Sequence, residues 1–108
     1  MSADERQGVT YGERVRLLEA LGDASAVGSR ALSKWGCETQ RQKAVEECSE
    51  LAAAVARDAA GSATHDTEAE VIGEVADVLI MAMQMAELYG VDATIDALRA
   101  KATRLEGR

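Results

Sequence analysis

Proline is absent from the 108 residues, and so is phenylalanine; there are one tryptophan, one histidine, two tyrosines and two cysteines. Without proline, glycine is left as the main residue that can stop a helix. Without phenylalanine, a core must be filled by Ala, Val, Leu, Ile and Met, which suggests thin, closely packed helices whose core another copy of the chain completes. A single histidine, His65, in the predicted loop, excludes the paired Glu-x-x-His ligands of carboxylate-bridged di-iron bundles. Cys37 and Cys48 are too few for a zinc site and are read as free thiols rather than a disulfide. No uninterrupted apolar run is longer than that of residues 78–83, too short to span a bilayer, and no secretory leader opens the chain, so a cytoplasmic location without membrane attachment is the expectation.

Acidic residues predominate, 19 Asp and Glu against 12 Lys and Arg, for a formal net charge of -7. That balance argues against duplex nucleic acid as a main partner, because phosphate neutralisation needs a basic face. A nucleotide is still compatible if a divalent cation bridges the two negative groups.

Abundant Ala, Glu, Arg, Leu, Gln and Met, together with the missing proline, predict an all-α fold, an antiparallel helical bundle. Residues 1–9 read as a loose arm, and residues 10–108 as one helical domain. Thr10 and Glu13 have capping-box spacing ahead of a short helix over residues 11–21. Gly22 and Asp23 are expected to interrupt it, with a second short helix from Ser25 to Trp35 and Gly36 beyond its end. A long helix is expected over residues 40–60, capped by Thr39 and Gln42. Residues 61–67, with Gly, Ser, Thr, His and Asp together, read as a loop. A second long helix, capped by Thr67 and Glu70, runs over residues 68–89 with a broad apolar surface and stops at Gly90. A last helix begins at Asp92 or Thr94 and reaches about Leu105. Two long helices joined by a short loop should pack antiparallel.

The first long helix carries Glu46, Glu47 and Glu50, and the second Glu70, Glu74 and Asp77. Residues three or four apart share a helix face, so Glu47 meets Glu50, and Glu74 meets Asp77. Like charges so placed repel. Both pairs are interleaved with apolar positions, Cys48 and Leu51 in one helix and Ile72, Val75 and Val78 in the other, which puts them at the edge of the core, where an unpaired carboxylate is costly. A divalent cation removes the conflict, and a set of oxygen ligands suits Mg²⁺, Mn²⁺ or Ca²⁺. Glu-x-x-Glu alone is common on solvated helix faces; two such motifs on adjacent helices, both flanked by core residues, carry the inference.

The pattern Gln40-x-x-Lys43-x-x-Glu46-Glu47-x-x-Glu50-Leu51, followed by Glu74-x-x-Asp77, resembles the MazG-like all-α nucleoside triphosphate pyrophosphohydrolases, in particular the short single-domain members of phages and bacteria. Trp35-Gly36 upstream and the apolar helix ending in Tyr89-Gly90 add to the likeness. The resemblance implies cleavage between the α and β phosphates of a (deoxy)nucleoside triphosphate, giving the monophosphate and pyrophosphate, in a nucleotide-pool-cleaning role. It implies Mg²⁺, with Mn²⁺ as a substitute, held by Glu47, Glu50, Glu74 and Asp77, and Glu46 as the residue that orients or activates water, so that the catalytic set is Glu46, Glu47 and Glu50. It also implies a phosphate-contacting Lys/Arg cluster at Lys101 and Arg104, although the asparagine frequent there in the family is missing from Ala100-Lys101-Ala102-Thr103-Arg104-Leu105.

Lys43 can pair with Glu46 or Glu47 across one turn, or reach a phosphate. Trp35 is a candidate for stacking on the base, with packing in the core or at a subunit contact favoured. Lys101 and Arg104 are equally readable as solvent-facing charges near a helix C-terminus. A homodimer or homotetramer is expected, because residues 68–89 show apolar side chains around more than half the helix. The alternative is a catalytically inactive helical interaction or regulatory module with the same fold.

Overall fold

The computed structural model describes residues 8–60 and 65–107. They form four helices, α1 (Tyr11–Trp35), α2 (Cys37–Ala59), α3 (His65–Tyr89) and α4 (Val91–Glu106), with no strand among the described residues. The fold is an all-α bundle. No helix of the described residues is long and apolar enough to cross a membrane. Most of the residues read as an arm and most of the predicted loop, residues 1–7 and 61–64, lie outside the described residues.

The Thr10 capping box forms: the Thr10 hydroxyl accepts from the Glu13 N–H at 3.1 Å, and the Glu13 carboxylate accepts from the Thr10 N–H at 3.0 Å. The two short helices predicted beyond it are one continuous 25-residue helix. Gly22 and Asp23 do not interrupt it, because a lone glycine costs a helix only about 1 kcal/mol and the good helix formers around it outweigh that.

Gly36 and Gly90, the two described residues with positive φ (91° and 129°), make the single-residue turns between α1 and α2 and between α3 and α4. Each N–H closes the preceding helix, Gly36 on Leu32 O at 3.0 Å and Gly90 on Ala86 O at 2.9 Å. Each carbonyl opens the next helix, accepting from the Gln40 and Thr94 N–H groups. α2 therefore starts at Cys37, without a side-chain cap, three residues before the predicted start. α3 likewise starts at His65, which is helical rather than in the loop, and Thr67 lies inside the first turn, donating its hydroxyl to Asp58 at 2.7 Å.

α3 packs chiefly against α2 and next against α1. Its partners on α2 rise in number as those on α3 fall: Gln40 meets Gln84, Arg57 pairs with Glu70, and Asp58 meets Thr67, an antiparallel register. α1 crosses α3 at Gly28, the buried residue of that helix. A Cβ there would stand 2.9 Å from the Gln84 Cγ and 3.5 Å from the Ile80 carbonyl, so any larger residue would have to displace Gln84. Ser29 seals the contact by donating to Glu87 at 2.8 Å.

The core of one chain is thin. Among the described residues the buried hydrophobic side chains are Ala54 and Met81, and three polar ones, Gln40, Glu47 and Gln84, are buried with them. Val78, Met85 and Leu88 are half-buried on the Met81 side of α3, whereas Ile72 and Val75 are exposed. α4 buries nothing, leaving Val91, Ile95, Leu98 and Leu105 uncovered. The radius of gyration is 15.6 Å, against about 13 Å for a compact domain of this length.

Candidate metal centre

The buried positions of α2 are Gln40, Glu47 and Ala54, spaced two helical turns apart. Glu47 thus occupies a seam position at which an apolar residue would ordinarily pack on α3. Glu74 lies two turns before the buried Met81 on α3 and is half-buried. The periodicity that builds the bundle therefore carries two carboxylates inward, one from each helix.

Oxygens of Glu47, Glu50 and Glu74 lie within 4.8 Å of one another. Glu50, one turn on from Glu47, is at the exposed edge. Two oxygens of this group, Glu47 Oε2 and Glu74 Oε2, are buried without a hydrogen-bond partner. An unsatisfied buried acceptor costs about 1–3 kcal/mol, more if charged. Among the described residues the neighbouring ammonium is that of Lys43, 3.3 Å from Glu47 Oε1 and 3.9 Å from Glu46 Oε2. The crowding is felt at Glu50, whose pKa is raised above 4.5, first by the Glu47 charge, then by its own desolvation and by the charges of Glu74 and Glu46, with Lys43 opposing. The Lys43 pKa is raised in turn, first by its hydrogen bond to Glu47 and then by the Glu46 and Glu47 charges.

Such a cluster, made of oxygen donors with two buried lone-pair sites unused, fits a hard divalent cation. Glu47, Glu50 and Glu74 can hold one. Asp77, also expected as a ligand, is exposed one turn beyond Glu74 and lies outside the group of mutually close oxygens. Glu46 is exposed beside the cluster, its side chain 57% accessible.

The remaining expected substrate residues are spread over the molecule. Lys101 and Arg104 are exposed on α4, and no hydrogen bond or ion pair among the described residues ties them to the carboxylates. Trp35 is not a core residue of this chain: it is 58% exposed at the end of α1, with the Lys34 ammonium 4.8 Å from its ring centroid. Cys37 and Cys48 are free and exposed.

One interior feature escaped the sequence reading. Gln84, 2% exposed, accepts from the Gln40 side-chain amide at 2.6 Å and donates to the Met81 sulfur at 3.5 Å. The signal was present, since Gln84 is the only polar residue between Val78 and Ala86. A buried amide of this kind finds its partner only when the helices are in register.

An all-α bundle whose two central helices bring carboxylates to one half-buried point is the architecture expected of the nucleoside triphosphate pyrophosphohydrolase superfamily. Within it, the family model described as phosphoribosyl-ATP pyrophosphohydrolase matches residues 29–104, and the chain belongs to that family. The match runs from the last turns of α1 through α2 and α3 into the last turn of α4 and contains every residue of the carboxylate cluster. No curated protein and no solved structure gives a significant match to the chain.

Proposed function

We propose that the protein is a Mg²⁺-dependent pyrophosphohydrolase of the MazG-like type, splitting a (deoxy)nucleoside triphosphate between its α and β phosphates in nucleotide-pool cleaning. The observation that carries this reading is the pair of partnerless buried oxygens on Glu47 and Glu74, beside Glu50, within the family-matched segment. Glu47, Glu50 and Glu74 would hold the cation, with Asp77 as the adjoining fourth carboxylate. The cation would supply charge neutralisation of the triphosphate and acidification of bound water. Glu46, exposed and paired with Lys43, is the carboxylate left to accept the proton of the attacking water. Lys101, Arg104 and Trp35 are the proposed triphosphate and base contacts.

These contacts, dispersed on one chain, call for a second. The exposed Ile72, Val75, Ile95 and Leu98 are the surfaces we assign to a homodimer or homotetramer. Light scattering behind a sizing column should give at least twice the chain mass; a monomer with intact activity would rule the assembly out.

The family match favours one specific second reading, phosphoribosyl-ATP as the substrate, since it offers the same α–β linkage. The test is a panel of ribo- and deoxyribonucleoside triphosphates and phosphoribosyl-ATP, with Mg²⁺ or Mn²⁺, the products resolved by chromatography. Equal amounts of monophosphate product and pyrophosphate are expected from at least one substrate, and the preferred one chooses between the readings. Folded protein that yields no product from any of them, and gains no thermal stability from either metal, is instead the inactive module.

A further inference from the structure

The position of Lys43 deepens this reading of the carboxylate cluster and rests on it. The ammonium lies 3.3 Å from Glu47 Oε1, the same buried carboxylate whose other oxygen has no partner. It is the only positive side chain that reaches the cluster among the described residues. One ammonium neutralises one charge, and Oε2 of Glu47 and of Glu74 remain unserved. The pair is also held in the weaker sense. The lysine precedes the glutamate by four residues, whereas the favourable order along a helix is the reverse. The Lys43 side chain is 49% exposed, so the ammonium has an open path into solvent.

We propose that Lys43 is the resident counter-ion of the carboxylate cluster and that a divalent cation enters by displacing it. A cation held by Glu47 would repel the ammonium that stands 3.3 Å from the other oxygen of the same carboxylate. Metal binding and release of Lys43 are then one exchange. The released side chain remains at the edge of the cluster, available to an anionic ligand only after the cation has arrived. This orders the two binding events, cation first and polyanion second, and keeps the unloaded cluster from being a bare acidic patch.

The experiment uses the full chain in metal-free form. Mn²⁺ is titrated calorimetrically into the wild type, Lys43→Met and Lys43→Arg. Lys43→Met keeps the aliphatic stem and should bind Mn²⁺ about fivefold more tightly, the upper range for an exposed ion pair. Lys43→Arg, which restores the counter-ion, should return toward the wild-type value. Displacement is read separately in the wild type by acylating surface amines and following the Lys43 peptide by mass spectrometry: its reactivity should rise when Mn²⁺ is added, relative to Lys34 and Lys101. If the wild type binds Mn²⁺ but Lys43→Met binds it equally or less well, or if Lys43 reactivity does not change, the exchange is refuted while the metal site stands. If the wild type binds no Mn²⁺, both fall.

Discussion

Glu47→Gln should reverse its effect on stability when metal is added. In the absence of metal, the wild type buries a carboxylate with one oxygen unpartnered, near Glu50 and Glu74. Burial of an unsatisfied polar group costs about 1–3 kcal/mol, more when it is charged. The isosteric amide removes the charge and with it the repulsion from Glu50 and Glu74. Against that stands the lost pairing with Lys43, a half-exposed side chain held in the less favourable helical order, so the net gain should be about 1 kcal/mol at the low end of that cost. For a domain of this size that is a rise of about 4–8 °C in Tm. With Mg²⁺ at a hundred times its Kd, the wild type should gain about 2.7 kcal/mol from binding. The variant, short of one ligand, should gain little, so the order inverts. The assay is thermal unfolding at fixed protein concentration, in chelator and across a Mg²⁺ titration, with turnover measured alongside and expected to vanish. A variant less stable than wild type in chelator would refute the reasoning, because Glu47 would then be satisfied as it stands and would need no cation.

The raised pKa of Glu50 fixes the sign of a pH dependence. Between its usual value near 4.5 and its higher folded value, the native state holds more protons than the unfolded chain, so metal-free stability should fall as pH rises through that window. Metal affinity should rise over the same window, and Glu50→Gln should flatten the stability profile in chelator; a wild-type profile identical to the variant's would refute the assignment. Gly28→Ala sets a helix-propensity gain of about 1 kcal/mol against an overpacking cost of about 1–3 kcal/mol. The new Cβ would lie 2.9 Å from the Gln84 Cγ, which cannot retreat without loosening the 2.6 Å bond to Gln40. Urea unfolding should show a net loss of about 1 kcal/mol, and a stabilised variant would mean that α1 is not seated on α3 at Gly28.

Composition and periodicity were enough to specify helices, their antiparallel pairing at the centre of the bundle, and the two carboxylate-bearing segments. These properties are local: propensity, the spacing of apolar residues and the recurrence of acids at three-residue intervals are all written along one helix at a time. Helix ends were less legible. Thr39 and Thr67 look like caps, but a glycine with positive φ at position 36 already turns the chain, and the hydroxyl of Thr67 serves Asp58 instead. Gly22 and Gly28 look alike in sequence; Gly22 faces open space while Gly28 receives Gln84. Tertiary structure also divided the acids that the motif treats as equals. The register of α2 on α3 brings Glu47 and Glu74 into the seam, leaves Glu50 at its edge, and turns Glu46 and Asp77 outward. Helical spacing says which residues share a face, but which face is buried, and at what height it meets the neighbouring helix, depends on contacts between residues far apart in the chain, such as Gln40 with Gln84.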